Sequence, residues 1–153
     1  MFMVVRNVET KDRDAWLRMR YDLWPNDQAG HAGAIARFFS GGVFGIDAVL
    51  VAEDRGELKG FVELYIRPCA EGCISERVAY LEGWYVVPEA RRRGVGRALI
   101  AAAEQWAKEQ GCQEFASDAA PENVMSMEAH LACGFEEVGL VRCFRKGLPA
   151  GEG

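Results

Sequence analysis

The stretch Arg91-Arg92-Arg93-Gly94-Val95-Gly96-Arg97 places four arginines and two glycines in seven residues. Glycines let a backbone turn tightly and leave its amide N–H groups open. A helix starting at this point adds partial positive charge, and guanidinium groups pair well with phosphate oxygens. The stretch reads as a pyrophosphate cradle, with a solvated basic turn as the plainer alternative. It is not a Walker loop, because no Gly-Lys-Ser/Thr follows, and not a dinucleotide fingerprint, because the third glycine is missing. Upstream, Glu82 interrupts the apolar run from Val78 to Val87, where an unpaired carboxylate is costly and a chemical role is favoured over a surface one. Downstream, Asp118 closes a second β-type run and Asn123 stands where a helix begins, so Asn123 also reads as an ordinary cap. There are only two histidines, His31 and His130, and five cysteines without a Cys-x-x-Cys pair, so no metal site is expected. His31 has no context that assigns it a role.

The elements that must hold these residues follow from periodicity and breakers. Met3 to Val8 is a short β-type run, and Thr10 can cap a helix with Ala15, Trp16, Met19, Leu23 and Trp24 as its apolar positions. Pro25 and Asn26 stop it. A second helix spans roughly Gln28 to Phe39 and ends at Gly41-Gly42. Ala48 to Glu53 and Leu58 to Ile66 form a hairpin around Arg55-Gly56, an irregular connection runs from Pro68 to Arg77, and Pro88 ends the apolar strand that contains Glu82. After the arginine-glycine turn, Val95, Leu99, Ala102, Ala103 and Trp106 line one face of an amphipathic helix that Gly111 terminates. A strand from Cys112 to Ser117, a helix from Pro121-Glu122-Asn123 to Cys133, and a last strand from Phe135 to Lys146 complete the order β-α-α-β-β-β-α-β-α-β. A meander joined to a βαβ unit predicts an α/β fold around a mixed sheet.

Composition sets the outer bounds. A chain of 153 residues is one domain's worth, expected over residues 1–148 with a short frayed tail at 149–153. Half the residues are hydrophobic and 27% are charged, which excludes a disordered chain. No apolar run approaches the roughly 20 residues that cross a bilayer, so no membrane partner is expected. The opening Met-Phe-Met-Val-Val-Arg does not read as a signal peptide, and an odd cysteine count without one points to reduced thiols and a cytoplasmic location. With 18 basic against 23 acidic residues, a net charge of −5, nucleic-acid binding through the arginine turn is disfavoured and a cationic partner is compatible.

Arg91-x-x-Gly94-x-Gly96, after a strand and before a helix, resembles the acetyl-CoA pyrophosphate loop of the GNAT N-acetyltransferase superfamily, and residues 3 to 147 fit that family's element order. Leu23-Trp24-Pro25, Leu81-Glu82-Gly83, Gly111-Cys112, Ala116-Ser117-Asp118, Pro121-Glu122-Asn123 and Gly134-Phe135-Glu136-Glu137 are similar to the aminoglycoside 6'-N-acetyltransferases, most of all their small dimeric subfamily. The resemblance implies a sheet whose N-terminal part is antiparallel and which ends in a parallel pair at the cofactor, splayed by a bulge in the strand Leu81 to Val87. It implies acetyl-CoA as cosubstrate, held by backbone groups at Trp84, Tyr85 and Val86, by the turn Arg91, Arg92, Arg93, Gly94, Val95, Gly96 and Arg97, and by Asn123. An amide near Trp84 would stabilise the oxyanion of the transfer.

On the acceptor side the resemblance implies an aminoglycoside bound by Trp24, Glu82 and Asp118. The acceptor amine must lose a proton before or during attack, and Glu82 or Asp118 is a suitable acceptor, with no order between them. His130 falls where many superfamily members carry a tyrosine that protonates the departing thiolate, and imidazole, with a pKa of about 6.5, can do the same. Two departures bear on substrate range. The family's further acceptor-lining aromatic has no counterpart among Cys69, Ala70 and Glu71, and an acidic position falls near Gly139. Glu71, Glu76 or Glu137 could compensate, Glu137 being the one placed among the acceptor-binding residues. The resemblance also implies a homodimer built by exchange of the apolar last strand. Acetylation of another amine (a polyamine, small amine or protein amine) and a non-catalytic CoA-binding module are the alternative readings.

Overall fold

Alternating apolar residues produce one five-stranded sheet in the computed structural model, which describes residues 2–27, 29–42 and 45–151. The elements are β1 (Met3–Asn7), α1 (Arg13–Leu23), α2 (His31–Ser40), β2 (Ala48–Asp54), β3 (Glu57–Arg67), β4 (Val78–Val86), α3 (Val95–Glu109), β5 (Glu114–Ser117) and α4 (Val124–Ala132). The strands lie in chain order, β1-β2-β3-β4-β5. The first three pairings are antiparallel and β4 with β5 is parallel, the mixed sheet expected from a meander followed by a βαβ crossover.

Both faces of the sheet are covered. On one, α3 lays Val95, Leu99 and Ala103 against Leu50, Val62, Leu64 and Leu81. Ile100 belongs to the same buried cluster, and Ala107 is buried further along the helix, so the apolar stripe is wider than the spacing alone suggests. On the other face, Trp16 and Met19 of α1 and Ile35 of α2 pack on Val49, Val51, Phe61 and Tyr85. The two faces are separated cleanly until β4, where the register against β3 shifts. Leu64 pairs with Leu81 but Glu63 pairs with Gly83, leaving Glu82 as an extra residue. This β-bulge reverses the alternation: Leu81 and Trp84, three positions apart, both serve the α3 face, and Tyr85 serves the α1 face.

Three sequence expectations change. Thr10 does not cap α1. It begins a 3-10 turn, Thr10–Asp12, and Glu9 and Asp12 cap each other reciprocally ahead of it. The second helix starts at His31, and Gln28 lies outside the described residues. The last strand, from Phe135 to Lys146, is absent among the described residues: the chain beyond α4 has neither helix nor strand. Val138, Leu140, Val141 and Phe144 are exposed there. β5 remains the sheet's edge.

Leu99 is fully buried between α3 and the sheet. Leu99→Ala is expected to lower the unfolding free energy by about 3 kcal/mol, measured by urea denaturation, because the rigid β2–β3 floor cannot collapse into the space.

Candidate active site

The cofactor side is built where β4 and β5 part. Their pairing covers Val78–Leu81 against Glu114–Ser117 and then stops, while β4 continues to Val86 paired only with β3. The β5-side edge of Glu82 to Val86 is thereby left open to an extended ligand that can pair with it. Beyond it, Gly94 caps α3 at φ +85° and Arg92 sits at φ +63°, so the turn folds back and points the first-turn amides of α3 outward. A Cβ at Gly94 would meet no atom within 4 Å, so the space before the helix is open. An open strand edge leading to a helix N-terminus rimmed by exposed Arg92, Arg93 and Arg97 fits the pantetheine arm and pyrophosphate of acetyl-CoA.

Not every residue of this group is free for a ligand. Arg91 turns back and its Nε donates to the Val86 carbonyl at 2.9 Å, tying the turn to the end of β4. The Tyr85 side chain is buried against α1, its ring in the core and its hydroxyl 3.4 Å from Asp22, so only its backbone can serve the cofactor edge. Trp84 lies on the opposite face, its ring edge-on to His130 at 5.2 Å and within 3.4 Å of a Cβ built at Gly96. Asn123 caps α4, its side chain accepting from the Ser126 amide at 3.1 Å. His130, on α4, has Nδ1 2.7 Å from the Ser126 carbonyl, which can only accept, so Nδ1 carries a proton. Its Nε2 meets the Ser117 hydroxyl at 2.8 Å, at the point where β5 ends.

The acceptor side lies across the sheet. The bulge turns Glu82 out, and it is exposed rather than enclosed, which overturns the burial argument drawn from its apolar neighbours. It is not unpaired: Arg67 Nη2 donates to Glu82 Oε2 at 2.7 Å. The same guanidinium stacks on the Tyr80 ring, its carbon 3.5 Å from the centroid, and the Tyr80 hydroxyl donates to Asp118 Oδ2. Burial and Asp118 together push the Tyr80 phenol well above its usual range. Glu82 and Asp118 are thus brought together through Arg67 and Tyr80. Trp24 stands nearby, its rim only 2.7 Å from a Cβ built at Gly83, a close approach that only glycine permits. Glu137 falls in the exposed segment after α4 and makes none of the hydrogen bonds or ion pairs that link the others.

Behind Trp24 lies a carboxylate that sequence pattern did not single out. Glu63 is fully buried, accepts from Trp16 Nε1 at 3.0 Å and pairs with Arg20 at 3.0 Å. Arg20 in turn lies 4.9 Å over the Trp24 ring, and the Trp24 backbone is held by Arg20 O and by His31 Nε2, each at 2.9 Å. Burial pushes the Glu63 carboxyl up to about 7, against the pull of Arg20 and Trp16. A glutamate between Val62 and Leu64 in a strand was the available signal.

Residues 12–135 match the model of the acetyltransferase (GNAT) family. The chain belongs to that family. It is 57% identical over 147 residues to the aminoglycoside N(6')-acetyltransferase type 1 of Klebsiella aerogenes, covering 95% of this chain and 97% of that one. It is 40% identical to the enzyme of the same name from Stenotrophomonas maltophilia, covering 94% and 93% of the two chains. Among solved structures, the GNAT fold here superposes on AAC(6')-Iy in complex with the bisubstrate analog CoA-S-monomethyl-acetylneamine with a TM-score of 0.89, 35% identity and coverage of 97% and 100%. Apo AAC(6')-IG from Acinetobacter haemolyticus follows with a TM-score of 0.87 at 33% identity, covering 95% and 99%.

The raised Glu63 carboxyl sets a sign for stability against pH. The folded state holds its proton more tightly than the unfolded chain, so its contribution is present below about 4.5 and is lost as pH rises through about 7. Urea denaturation of wild type and Glu63→Gln between those limits should show the wild type losing about 3 kcal/mol relative to the variant as pH rises.

Proposed function

We propose that this protein transfers the acetyl group of acetyl-CoA to the 6'-amine of aminoglycoside antibiotics, by direct attack in a ternary complex, and so confers resistance to them. The observation that carries the reading is an acidic and aromatic acceptor floor, Trp24, Glu82 and Asp118, set beside the open edge of β4. Its weight is increased by the names of relatives that this chain matches over nearly its whole length.

Bound acetyl-CoA supplies an activated thioester carbonyl. The open edge of Trp84 to Val86 pairs with its extended arm, and the α3 N-terminus with Arg92, Arg93 and Arg97 holds its phosphates. Arg91 braces that turn, and Asn123 orders the start of α4. Glu82 and Asp118 receive ammonium groups of the acceptor, and one of them takes the proton that the attacking amine loses. Trp24 presents a flat surface to a sugar ring. His130, its Nδ1–H held by the Ser126 carbonyl, acts in its doubly protonated form, passing the Nε2 proton by way of the Ser117 hydroxyl to the departing sulfur.

Residues 1–148 form one acetyltransferase domain in this reading. The exposed apolar residues after α4 lie beyond a sheet whose β5 edge is free, and a second copy of the chain, exchanging that segment, covers both. Among the described residues no helix is long and apolar enough to cross a membrane. The five free cysteines support a reducing, cytoplasmic location in this reading.

Release of free thiol from acetyl-CoA tests the function. Turnover is expected with kanamycin and tobramycin and not with a 6'-hydroxyl analogue, against a blank that corrects for the protein's five cysteines. Silence with all three alongside acetyl-CoA binding would move the assignment to another amine. Asp118→Asn is expected to reduce aminoglycoside turnover at least about a hundredfold while acetyl-CoA binding, followed by calorimetry, stays within about twofold.

A further inference from the structure

Glu82 comes from β4 and Asp118 from the residue that follows β5, and a hydrogen bond, a ring stack and a second hydrogen bond join their carboxylates. Arg67, the last residue of β3, donates from Nη2 to Glu82 Oε2 at 2.7 Å. Its guanidinium carbon lies 3.5 Å from the centre of the Tyr80 ring, and Tyr80 in β4 donates its hydroxyl to Asp118 Oδ2. Each carboxylate is engaged through one oxygen, and the hydrogen bonds and ion pairs of the described residues leave Glu82 Oε1 and Asp118 Oδ1 uncommitted. Glu82 is exposed and would otherwise sample several rotamers, and fixing it at the moment of binding would subtract from affinity. Tyr80 is buried apart from a sliver of surface, so the platform under the guanidinium is rigid. Stacking on that platform restricts Arg67 to one plane, something an exposed ion pair alone does not achieve.

We infer that Arg67 and Tyr80 are positioning residues for the acceptor: together they hold Glu82 and Asp118 as a two-point receptor for ammonium groups, each carboxylate presenting one free oxygen. This rests on the reading of Glu82 and Asp118 as the acceptor's ligands. It makes Arg67 a determinant of specificity toward aminoglycosides, although it carries the same charge as their ammonium groups. A lysine would keep the charge and lose the stack.

Steady-state kinetics with kanamycin separate the possibilities. Arg67→Met and Tyr80→Phe should each raise the kanamycin KM about five- to tenfold. In both, the acetyl-CoA KM should stay within about twofold and kcat should fall less than the kanamycin KM rises, a split that a general loss of structure would not produce. Arg67→Lys should resemble Arg67→Met. Glu82→Gln and Asp118→Asn are measured beside them. If these two raise the kanamycin KM and Arg67→Met and Tyr80→Phe do not, or if Arg67→Lys restores wild-type kinetics, the brace is wrong and the acceptor site stands. If Glu82→Gln and Asp118→Asn leave both kcat and KM for kanamycin unchanged, the acceptor-site reading fails and the brace with it.

Discussion

Between Leu81 and Gly83, β4 carries one residue more than β3 can pair, and the site depends on that surplus. Without it, strict alternation would send Trp84 to the α1 face with Glu82, and Leu81 to the α3 face with Gly83 and Tyr85. With it, Leu81 and Trp84 both reach the α3 cluster, Tyr85 reaches the α1 cluster, and Glu82 is expelled toward solvent beside Arg67. The bulge also brings Gly83 opposite Glu63, under the rim of Trp24. A single inserted residue therefore sets which side chains face each helix layer and where an acidic group emerges at the end of the parallel pairing.

The sheet is otherwise a barrier. Val62, Leu64 and Leu81 face α3, while Phe61 and Tyr85 face α1, with no polar route between the layers along these positions. The groups suited to a pyrophosphate and to a departing thiol, the α3 N-terminus and His130, lie on the α3 and α4 side. The groups suited to cations, Asp118 with Tyr80 and Arg67, lie on the other. The two sets come close only where β5 ends at Ser117 and β4 runs on alone. Ser117 marks the junction, its hydroxyl in contact with both His130 Nε2 and the Leu81 carbonyl. A reaction that joins a thioester to an amine has one place in this topology to occur.

Much of this was legible in the chain because the signals were local. Proline and glycine punctuation and the stripe of Val95, Leu99 and Ala103 located β4, the turn and α3, whose geometry follows from adjacent residues. What was not legible depends on pairing between distant residues. The bulge itself was implied by the family resemblance, but which residue it expels depends on the partner strand's register, so Glu82 read as an enclosed carboxylate when it is an exposed one. Glu63 is the enclosed one, and its partners Trp16 and Arg20 come from a helix more than forty residues away. Arg67 falls just past the strand expected to end at Ile66 and Tyr80 lies inside the apolar run from Val78 to Val87, and only the pairing of β3 with β4 stacks them. The segment after α4 has strand composition but no strand, because a strand needs a neighbour and composition cannot specify which chain supplies it.

The Glu63–Arg20 pair is hard to account for as a source of stability. A buried ion pair loses more by desolvation than it recovers unless its remaining polar atoms are satisfied, and Glu63 Oε1 and Arg20 Nη1 have no hydrogen-bond partner among the described residues. The raised Glu63 carboxyl reports the same imbalance, desolvation outweighing the pull of Arg20. Apolar side chains of similar volume would fill the space at lower cost. What they would lack is a planar cation held 4.9 Å over Trp24 while the same residue's carbonyl accepts the Trp24 amide. Trp24 is gripped on its indole face by Arg20, at its backbone carbonyl by His31 and at its ring rim by Gly83, all from positions that solvent barely reaches or that tolerate no side chain. The energy given up by burying the pair thus appears as a fixed orientation of one aromatic ring beside the bulge, and geometry rather than stability is what the pair contributes.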